Sequence, residues 1–160
     1  IGKAYEQAIR SVQHINENGV FVNSDGDKVE LVNTAWKFPV CVMAENFVSI
    51  PSEIYNYIDV KEEYLLPYAV NIYDLDIITR ECVSKEEFIS YMLFRQMNLR
   101  KLSAMDELDI FGYFKRNGMK EIACDENAEI WATEYTEEFD RRYNDENREW
   151  FIRFTENNLL

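Results

Sequence analysis

Four polar side chains recur at helical spacing near the start of the chain and are its best candidates for chemistry. They are Lys3, Gln7, Arg10 and His14. Because residues three, four and seven positions apart share one face of an α-helix, these side chains form a single ridge. Lysine and arginine neutralise phosphate charge, and glutamine positions a ligand by hydrogen bonds. The ridge therefore predicts either a surface that faces a phosphate-bearing site or the ordinary solvated face of a helix.

His14 is the only histidine of the chain. No residue close to it in sequence marks it as a general base or a metal ligand. A surface histidine near a helix C-terminus, where the helix dipole favours positive charge, is the simpler interpretation.

A nuclease-type carboxylate and lysine pair occurs once, as Asp59-Val60-Lys61. Nucleases that use a (D/E)-x-K motif hold Mg²⁺ with such carboxylates. The composition alone predicts roughly one and a half matches of this kind, so the match carries little weight. We expect a loop here, and an enzyme that uses Asp59 and Lys61 in a novel site remains the alternative.

Two further carboxylate clusters, at 74–76 and 106–109, are predicted to begin helices, because acidic residues in a first turn complement the helix dipole. Neither cluster comes with the additional ligands that a metal site needs. The three cysteines, Cys41, Cys82 and Cys124, are widely spaced and include no C-x-x-C pair. They predict reduced thiols in a cytoplasmic protein, with Cys41 in the core. We therefore expect no catalytic residue, metal ligand or cofactor site in this chain.

The charge of the chain bears on its partners. Acids outnumber bases 30 to 17, which gives a net charge of −13. Such a body repels phosphate backbones, so we expect no direct nucleic-acid binding by this chain alone. A basic protein surface is a possible partner. Because no membrane-length apolar run or signal peptide is visible, we expect no membrane association.

The first elements that must position these residues are a helix and a hairpin. Apolar residues at helical spacing predict a helix that ends near Asn18. Gly19 then ends it, because glycine readily takes the left-handed conformation found after the last turn of a helix. Two alternating runs flank Asp25-Gly26, which predicts a β-hairpin. A continuous apolar run at 40–44 then predicts a strand buried on both faces, and the stretch at 68–73 predicts a second strand of this buried type.

The rest of the chain is predicted to be helical. A short helix near 51–58 is opened by Pro51 or Ser52, and Asp74 is the expected N-cap of the next helix. Ser84 and Glu87 form a capping box for a third. Another helix follows, capped by Ser103 or Asp106 and stopped by Gly118. The last is predicted over 135–154, with Tyr135, Phe139, Tyr143, Trp150 and Phe154 as its apolar stripe.

These elements predict a mixed α/β fold with a small central sheet of about four strands, including the hairpin, flanked by helices. We expect an α/β body over residues 1–119. An acidic helical C-terminal extension over 120–160 is predicted to pack on the same domain.

The stretch GKAYEQAIRSVQHI resembles the helix that follows the catalytic (D/E)-x-K strand in restriction-endonuclease-like, or PD-(D/E)XK, proteins. Their nuclease-related (NERD-type) and RecB-like branches are the nearest comparison. In that family the helix carries a glutamine that faces the active site, and Gln7 occupies its place. FPVCVMAENF is similar to the family's next core strand, and the resemblance covers residues 1–50.

This resemblance implies that the catalytic carboxylates and lysine, and the Mg²⁺ they hold, belong to residues upstream of Ile1. The first helix also lacks a cap before Ile1, so we expect the upstream polypeptide to be this chain's first partner. The chain would then be a C-terminal part of a nuclease-related protein, inactive by itself. The alternative class is an acidic interaction module, such as an inhibitor or immunity-type partner of a basic protein.

Overall fold

The computed structural model describes residues 2–31, 37–44, 54–59, 67–123 and 129–145. Four helices have both ends in this part of the chain, and a fifth, α5, runs from 136 to 145, where the description ends. The four are α1 (Gly2–Asn18), α2 (Ile72–Glu81), α3 (Lys85–Met97) and α4 (Glu107–Asn117). The strands are β1 (Val20–Val22), β2 (Lys28–Glu30), β3 (Val40–Met43), β4 (Tyr68–Asn71), β5 (Leu102–Ala104) and β6 (Ile130–Ala132).

The fold is mixed α/β, as predicted, but its strands do not form one central sheet. Within the described ranges they make three two-stranded pairs: β1 with β2 antiparallel, and β3 with β4 and β5 with β6 parallel. The predicted four-stranded sheet that includes the hairpin is therefore wrong. The hairpin stays separate because all three residues of β2 are exposed, which leaves that strand no buried face to join the core.

The junction between α1 and the hairpin follows the sequence prediction. Gly19 has a φ of +64°, and its N–H donates to the carbonyl of Ile15 at 2.8 Å. In the hairpin loop, the side-chain oxygen of Asn23 accepts from the backbone N–H groups of Asp25 and Asp27. Gly26 supplies the positive φ that such a turn needs.

The two parallel strands β3 and β4 differ in burial. All four residues of β4 are buried, as predicted. In β3 exposed and buried residues alternate, and Val42 is 51% exposed. The prediction that both faces of β3 are buried is wrong, because α1 covers only the face that carries Cys41 and Met43.

Side-chain caps fix where the helices begin. Ser84 and Glu87 form the predicted capping box: Ser84 Oγ accepts from the N–H of Glu87, and Glu87 Oε2 accepts from the N–H of Val83. Asp106, not Ser103, caps α4. The predicted cap of α2 is wrong, because Asn71 accepts from the N–H of Asp74 at 2.8 Å, and Asp74 therefore lies in the first turn. Pro51 and Ser52 lie outside the described residues. Within the described residues, a 3-10 turn covers Ile54–Asn56 of the predicted short helix.

Most of the buried apolar side chains form one cluster, which we call the large core. It lies between β4, β5, β6 and the helices α2 to α5, and Tyr91, Phe94, Phe111 and Phe114 form its aromatic centre. Tyr91 and Phe111 meet edge to face, with ring centroids 5.0 Å apart. A separate small core joins α1 to β3 and β4 and contains Tyr5, Cys41, Met43, Ile54 and Ala69.

The C-terminal part of the chain is not purely helical, contrary to prediction, because β6 pairs with β5. Ile122, Ala132 and Phe139 are buried in the large core. Within the predicted stripe of the last helix, Tyr143 packs against that core, whereas Trp150 and Phe154 lie outside the described residues. In the described part of the chain, no helix has the length and apolar character needed to span a membrane.

Candidate functional site

The predicted ridge on α1 is exposed along its whole length. Lys3, Gln7, Arg10 and His14 all face solvent, while Tyr5, on the opposite side of the helix, is only 6% exposed. Because Tyr5 packs against the small core, the ridge points away from β3 and β4. Among the described residues, neither Lys3 nor Arg10 makes an ion pair with a carboxylate.

The contacts of His14 are those of a helix end. Asn18 Nδ2 lies 3.1 Å from His14 Nδ1 and donates to the carbonyl of His14 at 2.9 Å. Both side chains are exposed. His14 therefore contributes to the C-terminal end of α1 through its contacts with Asn18. Among the described residues, no carboxylate orients its ring.

A cleft of about 540 Å³ lies beside α1, and we call it the α1 cleft. One wall comes from α1 and the other from the segment 57–59, which follows the 3-10 turn. Its floor is apolar, because Tyr5, Ile9 and Ile58 all pack into the small core. The floor is therefore held in place by the same contacts that attach α1 to the β3–β4 pair.

The rim of the α1 cleft is charged and exposed. Glu6 and Arg10 stand on the α1 side, and Asp59 stands on the other. No ion pair within 4 Å joins Arg10 to either carboxylate in the described part of the molecule. Two carboxylates and one guanidinium therefore line the opening, each without an ion-pair partner among the described residues.

Arg10 is the one residue that belongs to both the ridge and the α1 cleft. Asp59, assigned to a loop by sequence, lies on the cleft rim, whereas Lys61 is outside the described residues. Glu6 and Tyr57 were not singled out by sequence. Glu6 is one helical turn before Arg10 and could have been found from that spacing. No local sequence signal predicts that Tyr57 lies near α1, because their proximity depends on the tertiary fold.

A second group of polar residues is buried at the carboxyl end of β4. Asp74 accepts a hydrogen bond from Asn71 Nδ2 and is 7% exposed. Burial raises the pKa of Asp74 to about 8, and the nearby carboxylates of Asp106, Glu107 and Asp140 add to the rise. The carboxyl group is therefore mostly protonated at neutral pH and acts as a neutral hydrogen-bonding group.

A buried ion pair joins α3 to α4. Arg95 Nε lies 2.8 Å from Glu107 Oε1, which also accepts a hydrogen bond from the hydroxyl of Tyr91. Burial raises the pKa of Glu107, and the charge of Arg95 opposes that rise. The three side chains are each less than 5% exposed, so they tie the helices together inside the large core.

Metal chemistry would need several ligands in one place. No group of three or more histidine, cysteine, aspartate or glutamate side chains within the described ranges is arranged to hold a metal ion. The α1 cleft offers two carboxylates, Glu6 and Asp59. The described lining of the cleft therefore suits an organic group, bound by the charged side chains and by stacking on Tyr57, better than it suits a metal ion.

Comparisons with protein-family models, with curated proteins and with solved structures found no match to this chain.

Proposed function

We propose that this chain is the C-terminal part of a nuclease-related protein of the restriction-endonuclease-like fold. In this proposal α1 lines a phosphate-facing site, and β3 and β4 form part of the sheet behind it. The catalytic carboxylates and lysine, with their Mg²⁺, would come from polypeptide that precedes Ile1. The resemblance of GKAYEQAIRSVQHI to the helix after the catalytic strand supports this assignment, with Gln7 in the place of the site-facing glutamine.

The observation that carries the proposal is that the two cations of the ridge, Lys3 and Arg10, form no ion pair with a described carboxylate. Acids exceed bases by 13 in this chain, yet no described carboxylate pairs with Lys3 or Arg10. Two exposed cations on one helix face, with Gln7 between them, suit a ligand with negative oxygen atoms. The packing of Tyr5 and Ile9 on the small core would hold that face at a fixed orientation.

The test is Mg²⁺-dependent cleavage of linear DNA. We expect no cleavage by the 160 residues alone and cleavage by the same chain extended with the polypeptide encoded upstream of Ile1. In the extended protein, K3A/R10A should reduce cleavage about tenfold, since two phosphate-facing charges are lost. K28A/K85A changes the net charge equally at exposed lysines elsewhere and is the matched control. Efficient cleavage by the 160 residues alone would contradict the proposal.

The same cleavage assay addresses the alternative site at Asp59 and Lys61. If the isolated chain did cleave DNA, K61A would decide where the chemistry resides. Loss of that activity in K61A would assign it to this chain's own Asp59 and Lys61. Unchanged activity would remove that alternative.

A second function, an acidic interaction module, is favoured by the surface around α5. Exposed acids on this segment are Glu134, Glu137, Glu138, Asp140 and Asp145. A dense negative surface attracts a basic protein and speeds its association. An inhibitor or immunity-type role in the cytoplasm, where the free thiols of Cys41 and Cys82 stay reduced, would fit this surface.

Binding of a fluorescein-labelled decalysine peptide tests this second function. We expect binding that weakens steeply from low to high salt and that is largely lost in E134Q/E137Q/E138Q/D140N. Binding that is insensitive to salt, or unchanged in this variant, would count against an interaction surface at α5.

A further inference from the structure

The α1 cleft combines an apolar floor with an aromatic wall. Tyr5, Ile9 and Ile58 form the floor, and Tyr57 stands at the wall with 60% of its side chain exposed. An exposed tyrosine face beside an apolar surface can cover the aliphatic stem and planar head of a bound side chain. The cleft volume of about 540 Å³ is large enough to hold such a side chain with part of its backbone.

The charges around the cleft favour a cation. Among the described residues at the opening, Glu6 and Asp59 carry two negative charges, against the single positive charge of Arg10. The chain as a whole has a net charge of −13, so its long-range field also attracts cations. A phosphate group entering the cleft would meet both carboxylates and would be opposed by that field.

We propose that the α1 cleft binds an arginine side chain of a protein partner. The planar guanidinium can pair in bidentate fashion with the carboxylate of Asp59 and stack on the ring of Tyr57. A lysine ammonium could pair with Asp59 but would gain less from the aromatic wall. This inference does not depend on the nuclease-related proposal, because it uses the cleft and not Lys3, Gln7 or His14.

The peptide acetyl-Gly-Arg-Gly-amide is the probe, and its citrulline analogue is the neutral control of the same shape. Binding to the ¹⁵N-labelled chain is followed by amide chemical shifts. We expect saturable shifts at Tyr57 and Asp59 with the arginine peptide and none with the citrulline peptide. The lysine peptide should bind more weakly than the arginine peptide.

Variants of the exposed rim residues separate the cleft from general attraction to an acidic protein. E6Q/D59N should weaken binding of the arginine peptide about tenfold, since the ion pair with Asp59 and the second negative charge at the rim are both removed. E137Q/E138Q removes two exposed charges from α5 and should change binding less than about twofold. Similar losses in both double variants would overturn the proposal.

The effect of substituting Arg10 on affinity has opposite signs for a cationic ligand and for a phosphate ligand. R10A removes the one cation among the described rim residues, so it should tighten binding of the arginine peptide about threefold. If the cleft instead received a phosphate group, R10A would weaken its ligand. Shifts at Tyr57 and Asp59 that appear with dAMP and are lost in R10A would therefore overturn the proposal in favour of a nucleotide site.

Discussion

Asp74 is a carboxyl group enclosed by other carboxyl groups. Asp106 and Glu107 come from the start of α4 and Asp140 from α5, while Asn71 donates to the Asp74 side chain from the end of β4. The folded protein therefore holds a proton on Asp74 that the unfolded chain releases above its ordinary pKa of 3.8. Stability must fall as the pH rises from that value through about 8.

We expect D74N to remove this pH dependence. The variant should unfold like the wild type below about pH 3, where Asp74 is protonated in both states. Above pH 8 it should be more stable by up to about 6 kcal/mol, because each unit of pKa shift corresponds to about 1.4 kcal/mol. Urea unfolding at several pH values measures the difference. D76N, at a half-exposed position on α2, is the control and should keep the wild-type pH dependence.

Gly112 is required by a close approach between α4 and the segment that precedes α5. A Cβ atom at Gly112 would lie 2.3 Å from the Cβ of Tyr135. Alanine favours a helix over glycine by about 1 kcal/mol, but here it would push against a side-chain stem that cannot rotate away. We expect G112A to lower the free energy of unfolding by about 1–3 kcal/mol. G2A has open space around it and should not destabilise, so equal stability of both variants would contradict this account.

Individual residues of the candidate site were predicted unequally well. The helical spacing correctly placed Lys3, Gln7, Arg10 and His14 on one exposed face, because that face follows from the period of the helix alone. The α1 cleft could not be predicted. It depends on the return of the chain at 57–59 to α1, and that return is determined by burial of Ile54 and Ile58 in the small core.

At the scale of elements, Asp109 anchors the C-terminal segment. Its Oδ1 accepts hydrogen bonds from the N–H of Tyr135 at 2.8 Å and of Thr136 at 2.9 Å. A residue of α4 therefore caps α5 across 26 positions of sequence. The cap satisfies backbone donors that α5 itself cannot satisfy at its first turn.

We expect D109A to destabilise the protein by about 1–3 kcal/mol, because two partly buried N–H groups lose their acceptor. The loss should be concentrated in α5, so limited proteolysis should cut within 134–145 earlier than in the wild type. D109N retains Oδ1 and should be affected less. Equal proteolysis of D109A and the wild type would show that α5 does not need this cap.

Short sequence motifs correctly predicted the elements whose formation depends on neighbouring residues alone. The hairpin at Asp25-Gly26 and the capping box at Ser84 and Glu87 were both confirmed. The strands β5 and β6 were missed, because three-residue strands show no alternation and their pairing joins distant parts of the chain. Asp74 was wrongly chosen as a cap because Asn71, at the end of β4, makes that contact first.

At the scale of the whole molecule, the two cores should differ in stability. Among the described residues, the large core has many fully buried aromatic side chains, whereas α1 contributes one buried residue, Tyr5, and partly buried residues such as Ile9 to the small core. Regions with few buried apolar contacts open locally at a lower free energy than the whole protein. The ridge and the α1 cleft therefore lie on the less stable side of the molecule.

Native-state hydrogen exchange measures this difference. We expect amides of α1 to exchange through a smaller opening, while amides of α3 and α4 exchange only on global unfolding. I9A should speed exchange in α1 and leave α4 nearly unchanged. If the α1 and α4 amides exchanged at one common free energy, the two cores would be a single cooperative unit.

The parallel pairing of β5 with β6 has a consequence during protein synthesis. Leu102 and Ala104 leave the ribosome well before Ile130 and Ala132, their partners in the pair. At ordinary elongation rates the delay is a few seconds, which is long compared with helix formation. A nascent chain that ends near residue 120 therefore presents an incomplete apolar surface, and the large core closes only after Ala132 and Phe139 have been translated.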